Sequence, residues 1–279
     1  MTDHRFATLD VFTDTRFCGN PLAVVWDCDD VDDDTMRAVA REFGYSETVF
    51  LQTTNAPGCD LRTRIYTPTG ELPFAGHPTI GSAVALESQF GDHMTFDQLA
   101  GPVAVKVGGG RAVFTIDRTV ELGPVDEISR ELVATAIGLE VDDLVTGGRQ
   151  MSAGNPFLAV QLASLGALAR VQVGEVPTAL ALYLYVYVAT GHAAIRARLL
   201  APHQGIPEDP ATGSAAAALA GVLAETSADG PVGFSVEQGI EMSRPSRIDV
   251  AADVVDGRAV RVGVEGAAVI VTEGLLHLA

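Results

Sequence analysis

Two helices that are apolar nearly all round, each entered through a turn bearing proline and glycine, constrain this chain more than any other feature. The first run is Pro73-Phe74-Ala75-Gly76-His77-Pro78-Thr79-Ile80-Gly81-Ser82-Ala83-Val84-Ala85. The second is Pro207-Glu208-Asp209-Pro210-Ala211-Thr212-Gly213-Ser214, continued by Ala215 to Ala220. Pro73, Gly76 and His77 match Pro210, Gly213 and Ser214. A second echo, Gly19-Asn20-Pro21-Leu22-Ala23-Val24-Val25 against Gly154-Asn155-Pro156-Phe157-Leu158-Ala159-Val160, recurs at nearly the same spacing, about half of the 279-residue chain. Two unrelated motifs recurring at nearly the same offset imply duplication rather than coincidence. A helix without a polar face has to be sheathed on most sides, so each half is expected to be a curved sheet wrapped around a central helix. The expected fold class is therefore α+β, with two pseudo-symmetric halves of mostly antiparallel sheet or barrel. The halves are set at 1–118, completed by a C-terminal strand 266–279, and 119–265.

Local patterns fill in this frame. Strands are expected over 6–12, 48–51, 62–66, 103–107 and 112–116, with Gly108-Gly109-Gly110 turning the chain between the last two. That glycine cluster joins strand to strand, whereas a dinucleotide fingerprint must join strand to helix. The second half is expected to hold strands around 157–162, 180–189, 193–200, 232–237, 247–252, 258–264 and 268–272. Helices are expected at 33–43, 78–89, 129–137 and 214–225. The acidic run Asp27 to Asp34 reads as a solvated loop capping the helix up to Phe43, with Gly44 as its stop, in preference to a metal loop.

Composition removes several function classes. A formal charge of −18 repels phosphate backbones, and no basic aromatic strip relieves it, so nucleic acid is not expected as a partner. The longest apolar stretch, around 179–189, alternates Leu180, Leu182, Leu184, Val186 and Val188 with Tyr183, Tyr185 and Tyr187, a strand pattern too short for a bilayer span. Cys18, Cys28 and Cys59 are an odd, sparse set, as in a chain with reduced thiols. The start Met1-Thr2-Asp3-His4-Arg5-Phe6 lacks a basic and apolar leader. The expectation is a cytoplasmic protein without a membrane partner.

The proline turn before the second helix has the make-up of a small-molecule site. Pro207 and Pro210 fix φ, Gly213 permits close approach, and Ser214 is expected to cap the helix. Helix starts attract anions, and Asp209 stands where a carboxylate can exchange protons or orient a substrate. A plain capped helix after a proline turn is the other reading of these residues. Two such starts, one per half, imply a ligand cleft between the halves. Glu47, between Ser46 and the apolar run from Thr48 to Leu51, is a carboxyl that burial can push toward neutrality; an exposed acid at a strand edge is the alternative. His77, before Pro78, is either a cap or a hydrogen-bonding group for a substrate carboxylate or Asp209. Ser214, His77 and Asp209 also permit a hydrolase triad, but no Gly-x-Ser-x-Gly elbow occurs. His192 and His203 lack partners at zinc spacing. No metal is expected.

Taken together, Phe12-Thr13 with Phe17-Cys18-Gly19-Asn20-Pro21, Ser46-Glu47-Thr48-Val49-Phe50, Phe74-Ala75-Gly76-His77-Pro78, Glu208-Asp209-Pro210-Ala211-Thr212-Gly213-Ser214, and Gln238-Gly239 with Arg244-Pro245-Ser246 resemble the PhzF-like isomerases of phenazine biosynthesis, which have the diaminopimelate epimerase fold. The resemblance runs nearly end to end. It implies Glu47, His77 and Asp209 as catalytic residues, and Asn20, Gly76, Pro78, Gly213 and Ser214 as substrate-binding ones. It further implies a cofactor-independent homodimer that shifts a proton and a double bond in a small carboxylated, cyclic dienyl amino-acid-like intermediate, of the trans-2,3-dihydro-3-hydroxyanthranilate type. The alternative function is a non-catalytic binding protein of the same fold. Racemases of this fold place a cysteine before each helix-start glycine; Ala75 and Thr212 stand there, so two-thiol stereoinversion is excluded. Ser243 stands where these isomerases more often have glycine.

Overall fold

The N-terminal unit, Met1–Thr115 with Glu265–Ala279, contains β1 (Thr2–Val11), β2 (Asn20–Val25), α1 (Asp33–Phe43), β3 (Glu47–Gln52), β4 (Leu61–Thr67), β5 (Gly70–Leu72), α2 (Gly76–Phe90), β6 (His93–Gln98), β7 (Gly101–Gly108) and β8 (Arg111–Ile116). The C-terminal unit, Ile116–Val264, contains β9 (Glu121–Leu122), α3 (Arg130–Ile137), β10 (Arg149–Ser152), β11 (Pro156–Gln161), α4 (Leu165–Arg170), β12 (Tyr183–Gly191), β13 (Ala194–Ala201), β14 (Ile206–Asp209), α5 (Gly213–Ala224), β15 (Gly230–Gln238) and β16 (Ser246–Val255). The last strand, β17 (Arg258–Leu278), begins in the second unit and ends in the first. This computed structural model describes residues 2–172, 183–191, 193–201 and 206–278.

In the N-terminal unit the pairings close on themselves. β1 pairs with β2, β2 runs parallel to β3, β3 pairs with β4, β4 runs parallel to β6, and β6, β7 and β8 follow as antiparallel neighbours. β8 then meets β17, and β17 pairs antiparallel with β1, completing a barrel of 8 strands. α2 packs against β1, β2, β3, β6 and β7, and nearly all of its first three turns are buried. This is why α2 has no polar face: a helix enclosed by sheet has no solvent side. α1 is its opposite. It is strongly amphipathic, with Met36, Val39 and Ala40 packed on Val25, Phe50 and Tyr66. Asp32 caps it by accepting from Thr35 N at 2.8 Å, and Gly44 ends it at φ 65°. The acidic run is thus a helix start, as its sequence implies, although Cys28 within it is fully buried.

The C-terminal unit repeats the same order of pairings. β10–β11, parallel β11–β12, β12–β13, the short β13–β14, parallel β13–β15 and β15–β16 reproduce β1–β2 through β6–β7. Asp256 (φ 51°) and Gly257 (φ 68°) form the tight turn from β16 into β17. Val120 N donates to Ala259 O at 2.9 Å, which sets the entry to β9 beside β17. α5 packs against β9, β10, β11 and β16, with every residue from Ala215 to Ala220 at 0% exposure. Alanine is the side chain that lets a helix fit this bore. Outside, α3 and α4 cover Leu158, Val160, Leu184, Val186 and Leu200 with Val133, Ile137, Ala167 and Leu168.

Some expectations change. The strands expected at 258–264 and 268–272 are one continuous strand, because Gly266 is a close approach and not a turn: a Cβ there would overlap the Phe12 ring, with Cε1 at 2.7 Å. α4, capped by Ser164 through Ala167 N at 3.1 Å, was not expected from its short apolar segment. Nor were β2, β5, β6, β9, β10 and β14. Leu22 to Val25 are buried on both faces, so they show no alternation. Leu180 and Leu182 lie outside the described residues.

Candidate active site

Five of the site residues singled out by sequence fall in the N-terminal unit. Asn20 opens β2, Glu47 opens β3, and Gly76, His77 and Pro78 form the first turn of α2. Parallel pairing of β2 with β3 and the packing of α2 on both bring these starts to one end of the barrel. Asn20 is fully buried and its Oδ1 accepts from Ser46 Oγ at 3.2 Å. Glu47 and His77 face each other, with Oε2 of Glu47 3.5 Å from Nδ1 of His77 and only 16% and 5% of their side chains exposed. Glu47 Oε2 has no hydrogen-bond partner among the described residues. Burial disfavours a carboxylate, and it pushes Glu47 up from 4.5 to about 7, with Ser46 pulling more weakly the other way. Glu47 is therefore a largely buried acid and not an exposed one at a strand edge.

The remaining three, Asp209, Gly213 and Ser214, lie in the C-terminal unit at the end of β14 and the start of α5. Thr212, and not Ser214, is the N-cap of α5, and no side-chain cap bond forms there; Ser214 is already the second helical residue. α2 is likewise uncapped by a side chain, starting after Ala75, so Pro78 is its third residue. Proline remains admissible because the first-turn N–H groups have no intrahelical acceptor.

Residues to which the sequence assigned no site role hold the Asp209 loop. Arg198, on β13, makes a two-pronged pair with Glu208, Nε to Oε1 and Nη2 to Oε2 both at 2.8 Å. Its Nη1 donates to the carbonyls of Leu168 and Val171 at 2.9 and 3.0 Å, closing the end of α4. Glu208 is thereby committed to structure. Gln238, 1% exposed, donates from Nε2 to Asp209 O at 2.8 Å and to Thr212 Oγ1 at 3.1 Å. Thr212 Oγ1 donates to Asp209 Oδ2 at 2.5 Å. Gly239, at φ 75°, follows; a Cβ there would collide with Arg244 O and lie 2.6 Å from Pro210 O. Ser246 Oγ reaches both Pro210 O (2.9 Å) and Gln238 O (3.0 Å). Gln238-Gly239 and Arg244-Pro245-Ser246 thus accompany the acidic turn because they are its floor. A buried arginine or glutamine far along the chain carries no local signal of such a role. Among the described residues no three His, Cys, Asp or Glu side chains cluster as for a metal; His192 and His203 lie outside them. No described helix is long and apolar enough to cross a membrane.

Comparison with known proteins agrees with this architecture. Residues 9–274 match the family model described as phenazine biosynthesis-like protein, PhzC-PhzF. The chain is 36% identical to an uncharacterized isomerase of Mesorhizobium japonicum, over 100% of both chains. It is 34% identical to the trans-2,3-dihydro-3-hydroxyanthranilate isomerase of Pseudomonas aeruginosa, over 99% of this chain and 100% of that one. In fold it is similar to the crystal structure of the Bacillus anthracis phenazine biosynthesis protein of the PhzF family, with a TM-score of 0.89 over 100% of both chains at 24% identity. The chain belongs to the phenazine biosynthesis-like PhzF family and is an isomerase.

Proposed function

We propose that this isomerase moves a proton and a double bond within a small carboxylated dienyl amino acid, with trans-2,3-dihydro-3-hydroxyanthranilate, the compound in the name of the Pseudomonas aeruginosa relative, as the first substrate to test. The observation that carries the reading is Glu47, a largely buried carboxyl 3.5 Å from His77, whose pKa burial raises to about 7. A general base works best when its pKa lies near the working pH, since it must both take and return the proton. As a carboxylate, Glu47 removes a proton from an sp³ carbon. The electron pair of that C–H bond shifts through the diene, and the protonated Glu47 delivers the proton to another carbon, so that no atom or electron is gained or lost. His77 steadies the charge of Glu47 as it changes. We assign the substrate carboxylate to a helix start, at Gly76-His77 or Gly213-Ser214, where no side-chain cap competes for the backbone N–H groups. Asn20 and Pro78 adjoin the first of these, and Asp209 supplies an orienting carboxylate at the second. A chain charge of −18 makes such local donors necessary for holding an anion.

The test is incubation with that compound and related dienyl amino acids in heavy water, followed by mass detection. Product carrying one deuterium from solvent supports the reading. Binding of the compounds without exchange or turnover would instead show that the isomerised substrate is another compound.

A further inference from the structure

The strand registers allow the two units to be compared position by position. Asn20-Pro21-Leu22 matches Asn155-Pro156-Phe157, and Leu22 pairs with Glu47 as Phe157 pairs with Tyr183. One residue on, Thr48 pairs with Tyr66 as Leu184 pairs with Leu200. Tyr66 pairs with Glu71 and Ile65 with Leu72; Leu200 pairs with Glu208 and Leu199 with Asp209. Arg62 pairs with Asp97 as Arg196 pairs with Glu237, so Gln98 and Gln238 correspond. The correspondence is confirmed by a shared device: Arg64 grips Glu71 through Nε (2.8 Å) and Nη2 (2.6 Å), as Arg198 grips Glu208.

Against this common scaffold, one hydrogen-bond chain has been rebuilt. In the N-terminal unit Gln98 Nε2 donates to Thr79 Oγ1 at 3.0 Å, and Thr79 Oγ1 donates to Ala75 O at 2.8 Å, so the hydroxyl proton stays within the helix. In the C-terminal unit the counterparts of Thr79, Ala75 and Leu72 are Ala216, Thr212 and Asp209. The hydroxyl has moved from the helix interior to its N-cap, and a carboxylate has been supplied for its proton. We infer that Thr212 and Gln238 are positioning residues that aim the Asp209 carboxylate, and that the Asp209 role named under the proposed function rests on them.

The chemistry fixes the direction of each bond. Gln238 Oε1 accepts from Thr212 N at 3.3 Å while Nε2 faces two acceptors, Asp209 O and Thr212 Oγ1. The reverse orientation of this amide would set oxygen against carbonyl oxygen. With a lone pair of its hydroxyl taken by Gln238, Thr212 gives its one proton to Asp209 Oδ2. Such a bond favours the charged carboxylate and holds it in one rotamer. Among the described residues of the surrounding strands, Glu208 pairs with Arg198, Glu237 and Glu241 with Arg196, and Asp249 with Arg247, and the backbone N of Arg244 donates to Gly239 O at 2.9 Å.

The experiment is a pH titration of the Asp209 carboxyl carbon by NMR in protein labelled with ¹³C-aspartate, the resonance being assigned with Asp209→Asn. Thr212→Val should move its midpoint upward by about one pH unit, Gln238→Leu should move it in the same direction by less, and Thr212→Ser should restore it. In the deuterium assay Thr212→Val should lower kcat at least about tenfold with KM little changed, and should add little to Asp209→Asn. A folded Thr212→Val with the wild-type midpoint overturns the inference, and if that variant does not fold, an unmoved midpoint in Gln238→Leu does so. Full turnover by Asp209→Asn would instead overturn the role given to Asp209, while the titration still decides whether Thr212 and Gln238 hold it.

Discussion

Nδ1 of His77 lies 3.5 Å from Oε2 of Glu47, and the two side chains are nearly enclosed by the barrel that α2 fills. Both side chains are largely withdrawn from solvent, and the charge of Glu47 is disfavoured by that burial. Glu47 thus keeps its proton more readily than an exposed glutamate and does so within reach of an imidazole.

Glu47→Gln should reduce turnover at least about a hundredfold, the scale of general acid–base catalysis, with KM and fold little changed, because shape and most hydrogen bonding are kept. Steady-state kinetics with the deuterium assay checks this. Turnover near the wild-type rate would remove Glu47 from the mechanism.

The same substitution separates a stability effect. Folding raises the proton affinity of Glu47 from 4.5 to about 7 through burial. A group shifted upward contributes stability that is fully present below the unfolded value and is lost as pH rises through the folded one. Wild type should therefore lose stability relative to Glu47→Gln between about pH 4.5 and pH 7. Urea midpoints for both proteins at pH 5 and pH 8 measure the difference, and parallel pH profiles would contradict it.

Arg198→Met should destabilise the protein by about 3–5 kcal/mol, since it strands Glu208 in a largely buried site and leaves the last carbonyls of α4 without a donor. Arg198→Lys should recover only part, as an ammonium cannot reproduce the two-pronged geometry. Denaturant unfolding reads both. A loss under about 1 kcal/mol for the methionine variant, typical of exposed pairs, would show that the clamp is incidental.

Ser243 sits at φ 57°, a left-handed conformation that costs an L residue. Ser243→Gly should raise stability by about 0.5–1 kcal/mol, the relief of that strain outweighing the extra freedom of glycine in the unfolded chain. A lowered thermal midpoint would mean that the serine side chain contributes more than its backbone costs.

Cys28 should resist alkylation at pH 8 in the native protein, because burial chiefly, with nearby aspartates, pushes its thiol up to about 12. Cys18 and Cys59 are partly exposed and should react first, with activity retained and unaffected by chelators. Peptide mass mapping combined with the activity assay tests this; protection of any cysteine by substrate would bring a thiol into the site.

The sequence by itself determined the two central helices, the duplication and the α+β class, because all three depend on patterns written in consecutive residues. An unbroken apolar surface from Ala215 to Ala220 has no solution but enclosure, and the repeated glycine-asparagine-proline turns need no coordinates to be counted. It also determined the outer helix α1, whose caps Asp32 and Gly44 adjoin the residues they cap. Tertiary structure alone decided the rest. Burial raised Glu47, and burial is conferred by strands and a helix distant in the chain. Arg198 and Gln238 became the floor of the Asp209 loop only when β13 and β15 came alongside it, and the strands expected at 258–264 and 268–272 became one, with Phe12 pressed on Gly266 between them. Local periodicity and capping are short-range and can be read from the chain; desolvation and the choice of a hydrogen-bond partner across strands are set by packing, which the chain specifies only as a whole.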